Sequence, residues 1–132
     1  MATILLVDDE KEIRDFITTF LEERNFKVSS AVTAAEALRK IEADRPEIVL
    51  LEVRIENMAG LEILERVKKI SRNTQVVVVT WIDDLTIANK AKSLGAIAYL
   101  TKPILLDELM EEILVNLGRP RRFFKLKKAA WG

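Results

Sequence analysis

Two apolar runs in this chain stop in carboxylates. Ile4-Leu5-Leu6-Val7 ends in Asp8-Asp9, and Ile48-Val49-Leu50-Leu51 ends in Glu52. Two more stop in groups that complement an anion: Val76-Val77-Val78-Val79 in Thr80, and Tyr99-Leu100-Thr101 in Lys102-Pro103. Three acids brought to one edge would push each other's pKa values up unless a cation compensates. A hard divalent ion with oxygen ligands, Mg²⁺ or Mn²⁺, is the natural occupant of such a cluster. It would also neutralise charge on a transferring phosphoryl group. Taken singly these residues mean little: Asp9 reads as a helix cap, Thr80 as a strand-end hydroxyl, Lys102 as a solvated lysine and Tyr99 as core. Their joint placement at strand ends is what makes them a site.

The elements that must position them follow from hydrophobic period. Residues 3–8 form a continuous apolar run, as expected of a parallel strand covered on both faces. Ile13, Phe16, Ile17, Phe20 and Leu21 then fall on one helical face, with Asp9 placed to cap it. A short second strand around Phe26 and Val28 follows, and Thr33-Ala34-Ala35-Glu36 has capping-box spacing for a helix through Ile41. Strand three is expected at 47–51, a third helix after Gly60, strand four at 75–80, and a fourth helix that opens at Asp83-Asp84 and stops at Gly95. Strand five is expected at 96–100, and a fifth helix carries Leu106, Leu109, Met110, Ile113, Leu114 and Leu117. This is an α/β pattern, (βα)5, for a doubly wound, five-stranded parallel sheet of flavodoxin-like type. Its strand ends converge on a site at the switch point.

Composition narrows the chemistry. With 132 residues the chain is one domain with a good core. It has no His and no Cys, which removes imidazole and thiolate as bases, ligands or nucleophiles. No run is long enough for a membrane span, and no signal-peptide pattern opens the chain, so cytoplasm is the expected location. The formal charge is zero, yet residues 119–132 carry six basic residues and no acid, leaving the rest at −6. Two regions are therefore expected: a domain over 1–118 and a basic, aromatic tail over 119–132.

The residues at the strand ends resemble those of a response-regulator receiver domain, over residues 3–117. The resemblance implies that Asp8, Asp9, the acid at position 52 and the backbone carbonyl of Arg54 hold Mg²⁺. It implies that position 52 takes a phosphoryl group from a histidine kinase, that Thr80 and Lys102 hold that group, and that Tyr99 reports activation by turning inward or outward. It also implies partners, a sensor histidine kinase or a downstream signalling protein bound through the helix 4–strand 5–helix 5 face, with a homodimer as a further option. The domain itself is expected to signal by contact, not to be an enzyme.

Several positions depart from that pattern. The acceptor of the family is Asp, and here it is Glu52. One extra methylene moves the carboxylate by about a bond length, and misplacement of ~1 Å can cost ~10²-fold in rate. Three readings stay open: Glu52 imitates a phosphorylated aspartate by reaching Lys102 and Thr80; the domain is a pseudo-receiver that no longer switches; or Glu52 is a laboratory Asp→Glu change in a working receiver. Glu56 and Ala59 also depart from the family's loop, and Trp81, where a small residue is usual, is placed to wall off the acceptor.

The tail mixes Arg119, Arg121, Arg122, Phe123, Phe124, Lys125, Lys127 and Lys128. It suits an anionic membrane surface, nucleic acid or a protein partner, an extension of helix five, or a solvated linker. No DNA-binding domain is expected in this chain. A rival enzyme on the same fold finds little support. A nucleotide or flavin binder wants a Gly- or Ser/Thr-rich loop after strand one, and an Asp-x-Asp phosphatase wants Asp where Glu10 stands.

Overall fold

Valine and isoleucine runs that alternate with amphipathic helical segments leave one economical arrangement: strands side by side in the middle, helices on both faces. The computed structural model, which describes residues 2–117 and 124–127, has this form. Strands β1 (Thr3–Val7), β2 (Lys27–Ala31), β3 (Ile48–Leu51), β4 (Gln75–Thr80) and β5 (Ala98–Thr101) alternate with helices α1 (Lys11–Glu22), α2 (Ala34–Asp44), α3 (Gly60–Ile70), α4 (Leu85–Ser93) and α5 (Leu106–Asn116). A sixth strand, β6 (Lys125–Lys127), completes the sheet. All pairings are parallel, in the order β2-β1-β3-β4-β5-β6.

Strand alternation divides the core in two. Leu5, Val7, Val49, Leu51, Val76, Val78 and Tyr99 face one side, packed with α2, α3 and α4. Ile4, Leu6, Ile48, Leu50, Val77, Val79 and Leu100 face the other, packed with α1 and α5. Because β1, β3, β4 and β5 are buried on both faces, their ends are fixed by packing on each side, which holds the side chains at those ends to narrow positions.

The fold is the expected one with a correction at the sheet edge. The expected five strands are six, because part of the tail pairs with β5. Lys-Leu-Lys carries no apolar run, since an edge strand needs none. The tail residues Arg119, Arg121, Arg122 and Lys128 lie outside the described residues. At the start of α1, Glu10 and not Asp9 holds the cap position, without a side-chain cap bond. Thr33 does cap α2, accepting from the Glu36 N–H, and Asp84 caps α4, accepting from Thr86 and Ile87. Among the described residues no helix is long and apolar enough to cross a membrane.

Candidate functional site

Four of the six parallel strands deliver one side chain each, at their carboxyl ends, into the same small volume. Asp8 follows β1, Glu52 follows β3, Thr80 ends β4 and Lys102 follows β5, all nearly without solvent exposure. Backbone pairing continues past the strands to place them: the Glu52 N–H donates to Val7 O at 2.9 Å, and the Lys102 N–H donates to Thr80 O at 2.7 Å. The Lys102–Pro103 peptide is cis.

The Lys102 ammonium is the hub. Its Nζ donates to Asp8 Oδ2 at 2.7 Å, to Glu10 Oε1 at 3.0 Å and to Glu52 Oε1 at 3.1 Å. The three N–H bonds of one ammonium are thus all used on carboxylates. Glu52 is held from the other side as well. Its Oε2 accepts from the Thr80 hydroxyl and from the Arg54 backbone N–H at 3.0 Å. The Thr80 oxygen in turn accepts from the Ile82 N–H at 3.2 Å, which leaves its own proton to point at Glu52.

Electrostatics follow from three acids against one base. Burial raises the pKa of Asp8, and the Lys102 bond and the Glu10 N–H only partly offset it. Burial opposes the charge of Lys102, but its bond to Asp8 and the charges of Glu52 and Asp8 outweigh it and hold the ammonium above its ordinary value. Glu10 is more exposed; burial is the largest single influence and works upward, but the bonds from Lys102 and Trp81, with the charges of Lys102 and Arg54, together bring it below the usual range.

Glu10 is the residue that reading the sequence missed. Its carboxylate, with those of Asp8 and Glu52, offers ligand oxygens within 4.8 Å of one another, while Asp9 is exposed and outside that group. Glu10 N–H donates to Asp8 Oδ1 at 2.8 Å, a turn that aims Asp8 and Glu10 inward together and Asp9 away. The signal lay in Asp8-Asp9-Glu10 as a run of three acids, of which a turn can select any two. As a donor set, three carboxylates suit a hard cation such as Mg²⁺. The Arg54 carbonyl accepts the Met58 N–H at 3.4 Å.

Trp81 covers the mouth. Its indole N–H donates to Glu10 Oε1 at 2.8 Å, and its ring centre lies 5.8 Å from the Lys102 ammonium. Tyr99 sits apart from the carboxylates, buried in the core with its hydroxyl donating to Ile82 O at 2.7 Å. Burial raises its pKa. Thr80 and Tyr99 thus both bond Ile82, one at its N–H and the other at its carbonyl.

The loop after β3 completes the frame. Gly60 approaches so closely that a Cβ there would lie 2.4 Å from Val53 Cα and 2.7 Å from Glu52 O. Between them, in the short turn Ile55–Met58, Glu56, Asn57 and Met58 all have positive φ, at 44°, 62° and 79°. Glu56 uses that shape to accept from the Ala34 N–H at the start of α2.

Comparison with known proteins gives a consistent result. The family model described as response regulator receiver domain matches residues 4–114. Sporulation initiation phosphotransferase F of Bacillus subtilis is 33% identical over 110 residues, 83% of this chain and 89% of that protein. Response regulator MprA of Mycolicibacterium vanbaalenii is 31% identical over 116 residues, 88% of this chain and only 50% of that protein. Among solved structures, a CheY-like receiver domain protein from Methanospirillum hungatei superposes with a TM-score of 0.85 at 32% identity, covering 89% of this chain and 94% of that one.

Proposed function

The chain belongs to the response-regulator receiver family of two-component signalling, and from that premise we propose that it works in a phosphorylation-independent form, with Glu52 standing in for a phosphorylated aspartate. One observation carries the reading. Glu52 bridges the two groups that, by resemblance, would hold a phosphoryl group: one of its oxygens accepts from Thr80 and the other from Lys102. An aspartate would stop about one methylene short. The longer side chain brings a carboxylate oxygen to the place where hydroxyl and ammonium wait, and both are satisfied without phosphate.

The surroundings support the same reading. Tyr99 is already inward, bonded to Ile82 O, and Ile82 N–H is bonded to Thr80, so the hydroxyl and the aromatic ring are tied through one residue. Glu52 is 2% exposed, which leaves little room for attack on an incoming acyl phosphate. Receiver domains bind Mg²⁺ through such an acidic cluster. Here Asp8, Glu10 and Glu52 would hold it, with Asp9 and the Arg54 carbonyl as the other ligands implied by resemblance, and bound there it would offset carboxylate charge. Lys102 fills that role with its own ammonium, so the cluster carries its own counter-charge. In this reading the domain is cytoplasmic, meets a histidine kinase or a downstream protein, and presents the α4–β5–α5 face.

A second reading, a binding module that no longer switches, is favoured by Trp81, whose bond to Glu10 closes the mouth of the site. The two differ in what Glu52 does for the rest of the domain. Glu52→Gln keeps the shape and weakens the bond to Lys102; the first reading expects chemical-shift changes to spread to Tyr99 and Ile82, the second expects them to stop at the site. The leading reading itself is tested by titrating the intact protein with Mg²⁺ and beryllofluoride while following Trp81 fluorescence. Mg²⁺ bound by the acidic cluster can itself alter the indole signal through Glu10, so beryllofluoride is added at saturating Mg²⁺, and no further saturable change is expected. A saturable, beryllofluoride-dependent change like that of an ordinary receiver would overturn it.

A further inference from the structure

The outer edge of β5 is where a parallel sheet of this kind would end, and here it is occupied. Lys125, Leu126 and Lys127 lie beside Ala98, Tyr99 and Leu100, and the Lys125 N–H donates to Ile97 O at 3.0 Å. Phe124 packs onto the face of the sheet that carries Tyr99, with the Lys92 ammonium of α4 5.9 Å from its ring centre. On the opposite flank Lys127 pairs with Glu108 of α5 at 3.6 Å. Four consecutive residues therefore touch α4, β5 and α5 together.

The hold is light. The strand has three residues, Leu126 is exposed, and the Lys127–Glu108 pair is partly solvated, a kind of pair worth little. No side chain of the segment is fully buried. The strands on the other side of β5 are different in kind: β4 is buried over five of its six residues. An edge strand with a basic, alternating sequence blocks the row of unpaired backbone groups that β5 would otherwise present. It can also leave without unfolding the sheet, because stability in a fold varies from segment to segment.

We infer that residues 124–127 are a releasable clamp, an intramolecular strand that occupies the α4–β5–α5 face and must lift before a partner can use it. The segment also closes the margin of the core around Tyr99, since Leu126 is its register partner and Phe124 shares its cluster. The clamp therefore favours the inward Tyr99 while it is seated. The use of this face by a partner rests on the receiver reading above; the presence and release of the strand do not.

Hydrogen exchange on the full chain, read by mass spectrometry, tests the clamp without any kinase, phosphate or partner. The Lys125 amide, which bonds Ile97 O, should exchange at least 10-fold slower than in the free peptide of the same sequence, and at least 100-fold faster than the amides of β4. Exchange at the free-peptide rate would mean that no strand is seated, and exchange as slow as β4 would mean that it never lifts; either overturns the proposal. Lys125→Pro deletes the bond to Ile97 O, and Phe124→Ala, which leaves the backbone intact, serves if the proline variant folds poorly. Each should speed exchange of those amides within 97–101 that face β6 at least 10-fold, while the Ile97 amide, which bonds Val76 O, and those of β1 and β3 stay as they were. Unchanged exchange of the amides that face β6 in both variants would also overturn it. Failure of these results leaves the Glu52 reading untouched, and a beryllofluoride response leaves this one untouched.

Discussion

Replacing Lys102 by methionine removes the ammonium that bonds three acids, two of them buried, while keeping the length of the side chain. In the native protein the ammonium has no exposed surface and Asp8 and Glu52 have almost none. Taking one partner from a buried pair typically costs about 3–5 kcal/mol, because the charge left behind is neither solvated nor paired. Glu10, at 40% exposure, can turn to water and adds little. For a domain with a urea slope near ~2 kcal/mol/M, a loss of that size lowers the unfolding midpoint by roughly 2 M. The pH dependence supplies the signature. A carboxyl whose folded pKa is raised stabilises the fold below its unfolded pKa and loses that contribution as pH rises through the folded value. Asp8 is already raised, and without Lys102 it rises further, so Lys102→Met should recover part of its loss on going from pH 7 to pH 5. Mg²⁺ should also stabilise the variant more than the native protein, since the ammonium no longer competes for the same oxygens. Urea unfolding followed by circular dichroism at both pH values, with and without Mg²⁺, is the assay. A loss under about 1 kcal/mol that is the same at pH 5 and pH 7 would refute the account of Lys102 as the hub.

Other substitutions test the frame around it. Thr80→Val keeps the shape and leaves Glu52 Oε2 with the Arg54 N–H as its remaining bond of the two described; a loss of about 1–3 kcal/mol is expected, read as a fall in Tm. Gly60→Ala puts a Cβ into the backbone of Val53 and Glu52, and urea unfolding should show a loss of about 1–3 kcal/mol or more. Met58→Gly relieves a left-handed φ of 79° and should gain roughly 0.5–1 kcal/mol after the entropy of glycine is subtracted, measured the same way. Native stability should fall at alkaline pH as Lys102 loses its proton, because its raised pKa makes a contribution that is present at neutral pH and lost above the folded value.

Much of this was legible in the residues themselves. Apolar runs buried on both faces announce parallel strands, and the expected bounds of β4 match those observed because four valines leave no other choice. The cap at Thr33 and the stop at Gly95, with φ of 107°, follow from local chemistry alone. What stayed hidden depended on geometry that side-chain type does not encode. Which two of Asp8, Asp9 and Glu10 face inward is set by an extended backbone at Glu10, and any of the three could have turned in. The left-handed turn at Glu56–Met58 has no glycine to announce it. β6 was hidden for the opposite reason to β4: a strand on the rim, half in water, has no hydrophobic period to read. The position of Trp81 at the mouth of the site was legible, but not its bond to Glu10, since Glu10 itself had no assigned part.

The central claim, that the extra methylene of Glu52 exchanges phosphoryl acceptance for direct contact with Thr80 and Lys102, is open to one direct measurement. Native protein and Glu52→Asp are incubated side by side with Mg²⁺ and a small acyl phosphate, and intact mass is followed with time. The native protein should gain no phosphoryl group, while Glu52→Asp should gain one at least ~10²-fold faster than any trace in the native chain. Equal labelling of the two proteins, with the adduct mapped to Glu52 in the native chain, would contradict the account.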